Sequence, residues 1–258
     1  MKKTPVISTT ILILIMTFME MSGLPAALFV DVKLADVEPF YFVLMVNFAI
    51  AIALCFLWKL TLGKNWEFGL TTKGLWRDLK FYGWSGVMVT VFVTLGFCLG
   101  LAPFDYKPSF WKVFIEGFVY YLGVGIMEEL YLRGLLQNLL VKLFGSNKDG
   151  KMHAILITSF VFGIGHIFGA MNQPPVVILC KVIWAIALGL YFGGLCAETK
   201  NLWLVIILHM VIDWCGVPFC FTTQSTYPMI SLCICVPLFV MLGVHGILTA
   251  GMKKGIME

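Results

Sequence analysis

Eight stretches of this chain are apolar for long enough to cross a bilayer, and that feature constrains the fold more than any other. A hydrocarbon core about 30 Å thick takes roughly 17–25 residues of helix. Stretches of that order fall near 6–28, 39–60, 81–103, 112–141, 152–169, 176–197, 202–219 and 228–250. Short polar connections separate them: DVKLADVE (31–38), DYKP (105–108), GSNKDGK (145–151), NQPP (172–175) and ETKN (198–201). Hydrophobic residues make up 60% of the chain and charged ones 12%, against about 45–50% and about 25% in soluble domains. A water-soluble protein has nowhere to hide that much apolar surface. The expected fold class is therefore all-α, a polytopic membrane protein with about eight transmembrane helices, and lipid is its main solvent.

Basic residues orient such a chain, because cytosolic loops carry an excess of Lys and Arg. With the N-terminus in the cytosol, Lys2, Lys3, Lys59, Lys64, Lys73, Arg77, Lys80, Lys142, Lys148, Lys151, Lys200, Lys253 and Lys254 fall inside, and Lys33, Lys107 and Lys112 outside. That imbalance predicts a multi-pass cell-membrane protein with both termini cytosolic. It also accounts for the net charge of +4, so nothing points to nucleic acid. The start, MKKTPVISTTILILIMTF, resembles a signal peptide; cleavage would leave an odd number of spans with reversed loop charges, so it is read as an uncleaved first helix. The eight cysteines show no CxxC spacing. Most lie inside predicted spans as small hydrophobes, and only Cys215 and Cys220 are placed for a bridge.

Two segments stand out. Residues 61–80 interleave Trp66, Phe68, Leu70, Leu75 and Trp76 with Lys and Arg, as expected of a segment lying among cytosolic headgroups. The fourth span runs 33 residues from Lys112 to Phe144, about 50 Å of helix at about 1.5 Å per residue. It must tilt or project into the cytosol, and Gly117, Gly123 and Gly125 allow close packing on the way.

Ionisable groups at membrane depth face the protein interior and mark function by default. Here they are Glu20, Glu128, Glu129, Arg133, His166, Lys181, His209, Asp213 and His245. At 100° per residue Arg133 lies about 40° from Glu129 and about 140° from Glu128. Glu129 and Arg133 thus form an i,i+4 pair, and Glu128 faces something else, as suits a general base. Phe162 and His166 share a face in FGIGH, as do His209 and Asp213 in HMVID. Helical rise puts Glu128, His166 and His209 at roughly 12–21 Å from the cytosolic ends of their spans, so three helices converge them. Lys181 is expected to snorkel to the outer face, His153 to be solvated, Glu20 and His245 to make structural hydrogen bonds, and Gln137 and Asn138 to line or rim the cavity.

EELYLR (128–133), FGIGH (162–166) and HMVID (209–213) resemble the EExxxR, FxxxH and HxxxN/D motifs of the CPBP family, which contains CAAX prenyl proteases and bacterial Abi-type intramembrane proteases. The resemblance covers roughly residues 110–220. It implies eight helices around an intramembrane cavity open to lipid and cytosol, and hydrolysis of a peptide bond by a glutamate-activated water. On this resemblance the catalytic residues are Glu128 as base, His166 holding the water or a metal, His209 at the oxyanion and Asp213 beside it. Glu129, Arg133 and Phe162 support them. It divides the chain into three N-terminal spans (1–109), a four-span catalytic core (110–220) and a last helix with a cytosolic tail (221–258).

Where the eukaryotic prenyl proteases carry Asn, this chain has Asp213. An ionised aspartate cannot donate to an oxyanion, so its expected role is to orient His209 through a ring N–H. No cofactor is expected. Zinc held by Glu128, His166 and His209 is the alternative, weakened by the lack of an HExxH helix. The expected partners are the bilayer and a peptide or lipidated-protein substrate cut near the cytosolic face. Other readings are a transporter using the same groups as a proton relay or a non-catalytic immunity protein; inverted repeats, which would favour the former, are not evident.

Overall fold

The computed structural model describes residues 3–22, 37–63 and 65–251, with the side chains of 20–22 excepted. The Glu20 carboxyl, the apolar residues 23–28, and Lys2, Lys33, Lys64, Lys253 and Lys254 lie outside that description. Among the described residues nine helices follow one another: α1 (Thr4–Ser22), α2 (Pro39–Leu62), α3 (Leu75–Tyr82), α4 (Trp84–Leu101), α5 (Phe110–Phe144), α6 (Lys148–Phe168), α7 (Pro175–Thr199), α8 (Leu202–Asp213) and α9 (Met229–Gly251). A 3-10 segment, Trp214–Phe221, prolongs α8. Among the described residues seven helices, counting α8 with its extension, are long and apolar enough to span a membrane; α1 is apolar but shorter.

The helix ends are written in the sequence. The side chains of Ser109, Asn147 and Asn201 accept from the backbone N–H groups of Lys112, Gly150 and Leu204, capping α5, α6 and α8. Pro39 and Pro175 open α2 and α7, where a missing N–H costs nothing. Gly145 at φ 101° stops α5.

Seven of the eight expected spans coincide with helices of spanning length and the first with α1 over its described residues, and the antiparallel run of α5 to α8 gathers Lys142, Lys148, Lys151 and Lys200 at one end of the bundle. That end is called basic below. Outward faces are apolar: Leu60, Leu99, Met241 and Leu248 are exposed, which suits lipid and not water.

At the centre α7 packs between α6 and α9. A Cβ at Gly194 would run into the backbone carbonyl of Gly246, so these two glycines bring α7 and α9 into backbone contact. Ser85 Oγ meets His245 Nδ1 at 2.9 Å and Tyr191 Oη at 3.2 Å, tying α4, α7 and α9 together. His245 is thus an interhelical hydrogen-bonding group.

The segment after α2 does not lie among headgroups throughout. Trp66 and Phe68 are buried, the Trp66 indole N–H donates to Gly134 O at 3.1 Å, and Leu202 N–H donates to Gly69 O at 2.8 Å. A buried indole N–H needs an acceptor, and α5 offers one. Trp76, 82% exposed on the short helix α3, keeps the interfacial character expected of the whole stretch.

Candidate active site

Helix α5 loosens where its charges lie. It runs unbroken from Phe110 to Phe144 but winds as π-helix over Gly117–Leu122 and again over Leu130–Gln137, directly after Glu129. Such wide turns leave carbonyls with altered partners and concentrate at functional sites. Gly134 O illustrates this, accepting from both Trp66 Nε1 and Asn138 Nδ2 at 3.1 Å.

Glu129 and Arg133 form the pair expected from their spacing: Nη1 to Oε1 is 2.9 Å and both side chains are fully buried. Arg133 Nη2 also donates to Gly189 O on α7 at 3.2 Å, and the guanidinium lies over the rings of Phe162 (5.2 Å) and Phe192 (5.6 Å). Three helices therefore hold one cation.

The same Glu129 oxygen accepts a second bond, from His209 Nδ1 at 2.7 Å. Phe192 stacks on the His209 ring at 4.7 Å and Phe162 meets it edge-on at 5.9 Å. The imidazole is fixed by a carboxylate on one nitrogen and by aromatic rings on its faces. Asp213, expected to orient His209 through a ring N–H, approaches the other nitrogen. Its Oδ2 stands 3.5 Å from His209 Nε2, the opposite nitrogen, while the Nδ1 proton belongs to Glu129. The i,i+4 rule put Asp213 and His209 on one face but does not say which ring edge a side chain from a facing helix takes.

Glu128 reaches the same imidazole from the other side, with Oε2 3.5 Å from Nε2. It is buried, and Oε2 has no hydrogen bond among the described residues. His166 Nδ1 bonds Phe162 O at 2.9 Å. A carbonyl only accepts, so Nδ1 carries the proton and Nε2 of a neutral ring keeps its lone pair. Its ring packs against Phe162 at 4.5 Å. Glu128, His166, His209 and Asp213 line one cavity of about 260 Å³, otherwise walled by residues such as Val124, Trp184, Leu188, Ile212, Tyr227 and Phe239.

The cavity holds a group the sequence reading put elsewhere. Lys181 lines it, with Nζ 5.9 Å from the centre of the Tyr227 ring, and does not snorkel away. Conversely, Gln137 and Asn138 do not rim it. They line a separate pocket of about 370 Å³ at the basic end, where Gln137 Nε2 donates to Gly193 O at 3.0 Å. His153 is exposed, as expected, and all eight cysteines are free, the Cys215–Cys220 bridge included.

The cavity shares Tyr120, Tyr121, Gly216 and Phe219 with a vestibule of about 660 Å³ that carries Glu38, Lys112 and Thr223, at the end opposite the basic one. It shares no residue with the basic-end pocket. Between them lie buried Tyr131, Leu132 and Arg133, with Trp66 and Phe68 beneath. Those two aromatics come from the segment expected at the headgroups and line the basic-end pocket.

Among the described residues no three of His, Cys, Asp and Glu converge as a group able to hold a metal ion. His166 and His209 each use Nδ1 on a protein partner, a carbonyl and Glu129 respectively, which leaves their Nε2 atoms to the cavity.

Residues 109–215 match the family model for Rce1-like proteins, described as type II CAAX prenyl endopeptidase Rce1-like. The matched stretch runs from the cap of α5 into the 3-10 segment and contains Glu128, Glu129, Arg133, Phe162, His166, His209 and Asp213. No curated protein and no solved structure matches the chain significantly. With the matched region supplying the cavity's polar wall, the central part of this multi-pass membrane protein is similar to the type II CAAX prenyl endopeptidases of the Rce1-like family.

Proposed function

We propose that the chain hydrolyses a peptide bond of a membrane-associated or lipidated peptide, with Glu128 activating the attacking water. One observation carries this reading: a buried carboxylate oxygen with no hydrogen bond among the described residues, beside His209 Nε2, in a largely apolar cavity that His166, Lys181 and Asp213 also line. A base in such a place has a task only when water or substrate joins it.

The residues divide the work as follows. A water in the cavity gives one proton to Glu128 and hydrogen-bonds through the other to His166 Nε2. Its oxygen bonds to the scissile carbonyl carbon, and the carbonyl electron pair moves onto oxygen. His209, with Nδ1–H held by Glu129, presents Nε2–H to that oxyanion when it carries both protons. The proton on Glu128 then passes to the leaving nitrogen as the C–N bond breaks. Asp213 only accepts when ionised, so it does not serve the oxyanion; it holds the Nε2 side of His209 while no substrate is bound. Glu129 and Arg133 position the ring and touch no reacting atom.

The test uses purified Glu128→Gln, His166→Ala and His209→Ala proteins, checked for folding and assayed on candidate lipidated and unlipidated peptides. Loss of a general base typically costs about 10²–10⁴ in rate and loss of one oxyanion donor about 10²–10³. Unchanged cleavage by all three variants refutes the proposal. Inhibition by a chelator that zinc reverses would replace the base-only chemistry with a metal-assisted one.

A further inference from the structure

We infer that the pocket at the basic end of the bundle binds the phosphate headgroup of an anionic phospholipid from the adjoining leaflet. It shares no residue with the active-site cavity, so this site stands apart from the proposed hydrolysis. The pocket, about 370 Å³, is lined by Lys142, Lys151 and Lys200, and among the described residues its one acidic side chain is the exposed Glu67. None of the three lysines makes an ion pair within 4.0 Å among the described residues. Lys142 lies within the last turn of α5, Lys151 within the first turn of α6, and Lys200 directly after α7. Helix ends of this kind meet the membrane at headgroup level. Lysines brought from three helices to one pocket repel each other until an anion joins them.

The pocket wall is fixed in place. Trp66 Nε1–H donates to Gly134 O and Leu202 N–H to Gly69 O, which ties segment 66–69 to α5 and α8. Lys142 Nζ stands 4.0 Å from the centre of the Trp66 ring, a cation–π contact that places the ammonium without neutralising it. Lys200 closes α7 at φ 55°, in the left-handed region, where glycine or asparagine is the usual closing residue. A lysine there bears backbone strain that glycine would avoid, and it sets an ammonium on the pocket wall. The surroundings make the anion a lipid and not a soluble phosphate. Phe68, which lines the pocket, meets the Phe56 ring edge-on at 5.2 Å, and Phe56, Leu57 and Leu60 are exposed on α2. That apolar face receives acyl chains while the headgroup lies among the lysines. Lys59 Nζ, 5.6 Å from the centre of the Phe68 ring, adds a basic group on the same side. Basic pockets between spanning helices suit anionic headgroups, and lysine binds phosphate as a point charge. A choline headgroup would bring its own cation to the same place.

The experiment titrates full-length protein in neutral detergent with dioctanoyl phosphatidylglycerol or dioctanoyl phosphatidylcholine and counts bound lipids by native mass spectrometry. Each lysine is expected to contribute about fivefold, the scale of one basic residue at an anionic surface. Phosphatidylglycerol should therefore bind about 10-fold or more tighter than phosphatidylcholine. Lys142→Gln/Lys151→Gln/Lys200→Gln should bring the two lipids within about twofold. Lys73→Gln/Lys80→Gln/Lys107→Gln removes the same charge from exposed lysines outside the pocket and should leave the preference intact. Lys200→Gly should lower phosphatidylglycerol affinity about fivefold while the lipid-free Tm stays unchanged or rises, because glycine relaxes the left-handed turn. A purely structural role for Lys200 would not produce that combination. Glycerol 3-phosphate, equimolar with the lipid, should not displace it. Equal binding of the two lipids, a preference that survives the pocket triple variant, or one lost as fully in the outside variant each overturns the inference. Unchanged affinity in Lys200→Gly, or displacement of the lipid by glycerol 3-phosphate, does so as well.

Discussion

Replacing Glu129 by leucine would strip Arg133 of its carboxylate while leaving it fully buried. The cost follows from the structure. At the observed 2.9 Å and an effective dielectric of about 20, the attraction is about 6 kcal/mol. The bond to Gly189 O and the two flanking rings remain, so the net loss should be the about 3–5 kcal/mol typical of an orphaned buried charge. Removing the charge as well, in Glu129→Leu/Arg133→Leu, should recover most of that loss, because apolar replacement of a whole buried pair is commonly neutral or stabilising. Activity should not recover, since His209 Nδ1–H still lacks its acceptor. SDS titration of the purified proteins in mixed micelles, followed by tryptophan fluorescence, gives the stabilities; peptide cleavage gives the activities. A double variant as unstable as Glu129→Leu would show that packing, not charge compensation, dominates. A double variant with full activity would refute the orientation of His209 by Glu129.

Three further outcomes are expected. Gly194→Ala should destabilise the bundle by about 1–3 kcal/mol, the range for overpacked sites, because its new methyl meets the Gly246 backbone and no flexible side chain; the same titration measures it. Gln137→Leu should cost about 1 kcal/mol for its bond to Gly193 O and leave cleavage unchanged, since the residue lines the other pocket. Asp105, between α4 and α5, accepts from the Thr223 hydroxyl at 2.6 Å and the Thr223 N–H at 2.8 Å, and these bonds hold its carboxyl below the usual range. A depressed value means the clasp is complete above the ordinary carboxylate range and is lost as pH falls through the lowered one. Amide exchange at Thr223 should therefore lose protection only in strong acid, and Asp105→Asn should weaken it at every pH.

How much of this the sequence carried depends on whether the information was local. Span positions and the Glu129–Arg133 pair depend on period and spacing along one helix, and both are visible in EELYLR. Bonds between helices are different. Nothing in HMVID says that His209 would give its Nδ1 proton to Glu129, because that bond depends on how α5 and α8 are rotated against each other. The same applies to Lys181. A lysine near the end of an apolar stretch ordinarily reaches for the interface, and only the rotation of α7 turns it toward Tyr227. Trp66 and Phe68 were misplaced for a related reason: interleaved aromatic and basic residues suit an interface, but the indole N–H found an acceptor in the π-wound stretch of α5, which no periodicity announces.

That buried layer of Trp66, Phe68 and Arg133 has a consequence for sidedness. If Glu128 works as proposed, water and peptide can reach it past Tyr120, Tyr121, Gly216 and Phe219, from the end bearing Glu38 and Lys112. In a sealed vesicle the reaction would sample the buffer of a single compartment, and a membrane-impermeant inhibitor would act from that side alone. On the proposed function, whatever supplies the peptide would have to deliver it at the vestibule end, and sidedness of cleavage in sealed vesicles would report it.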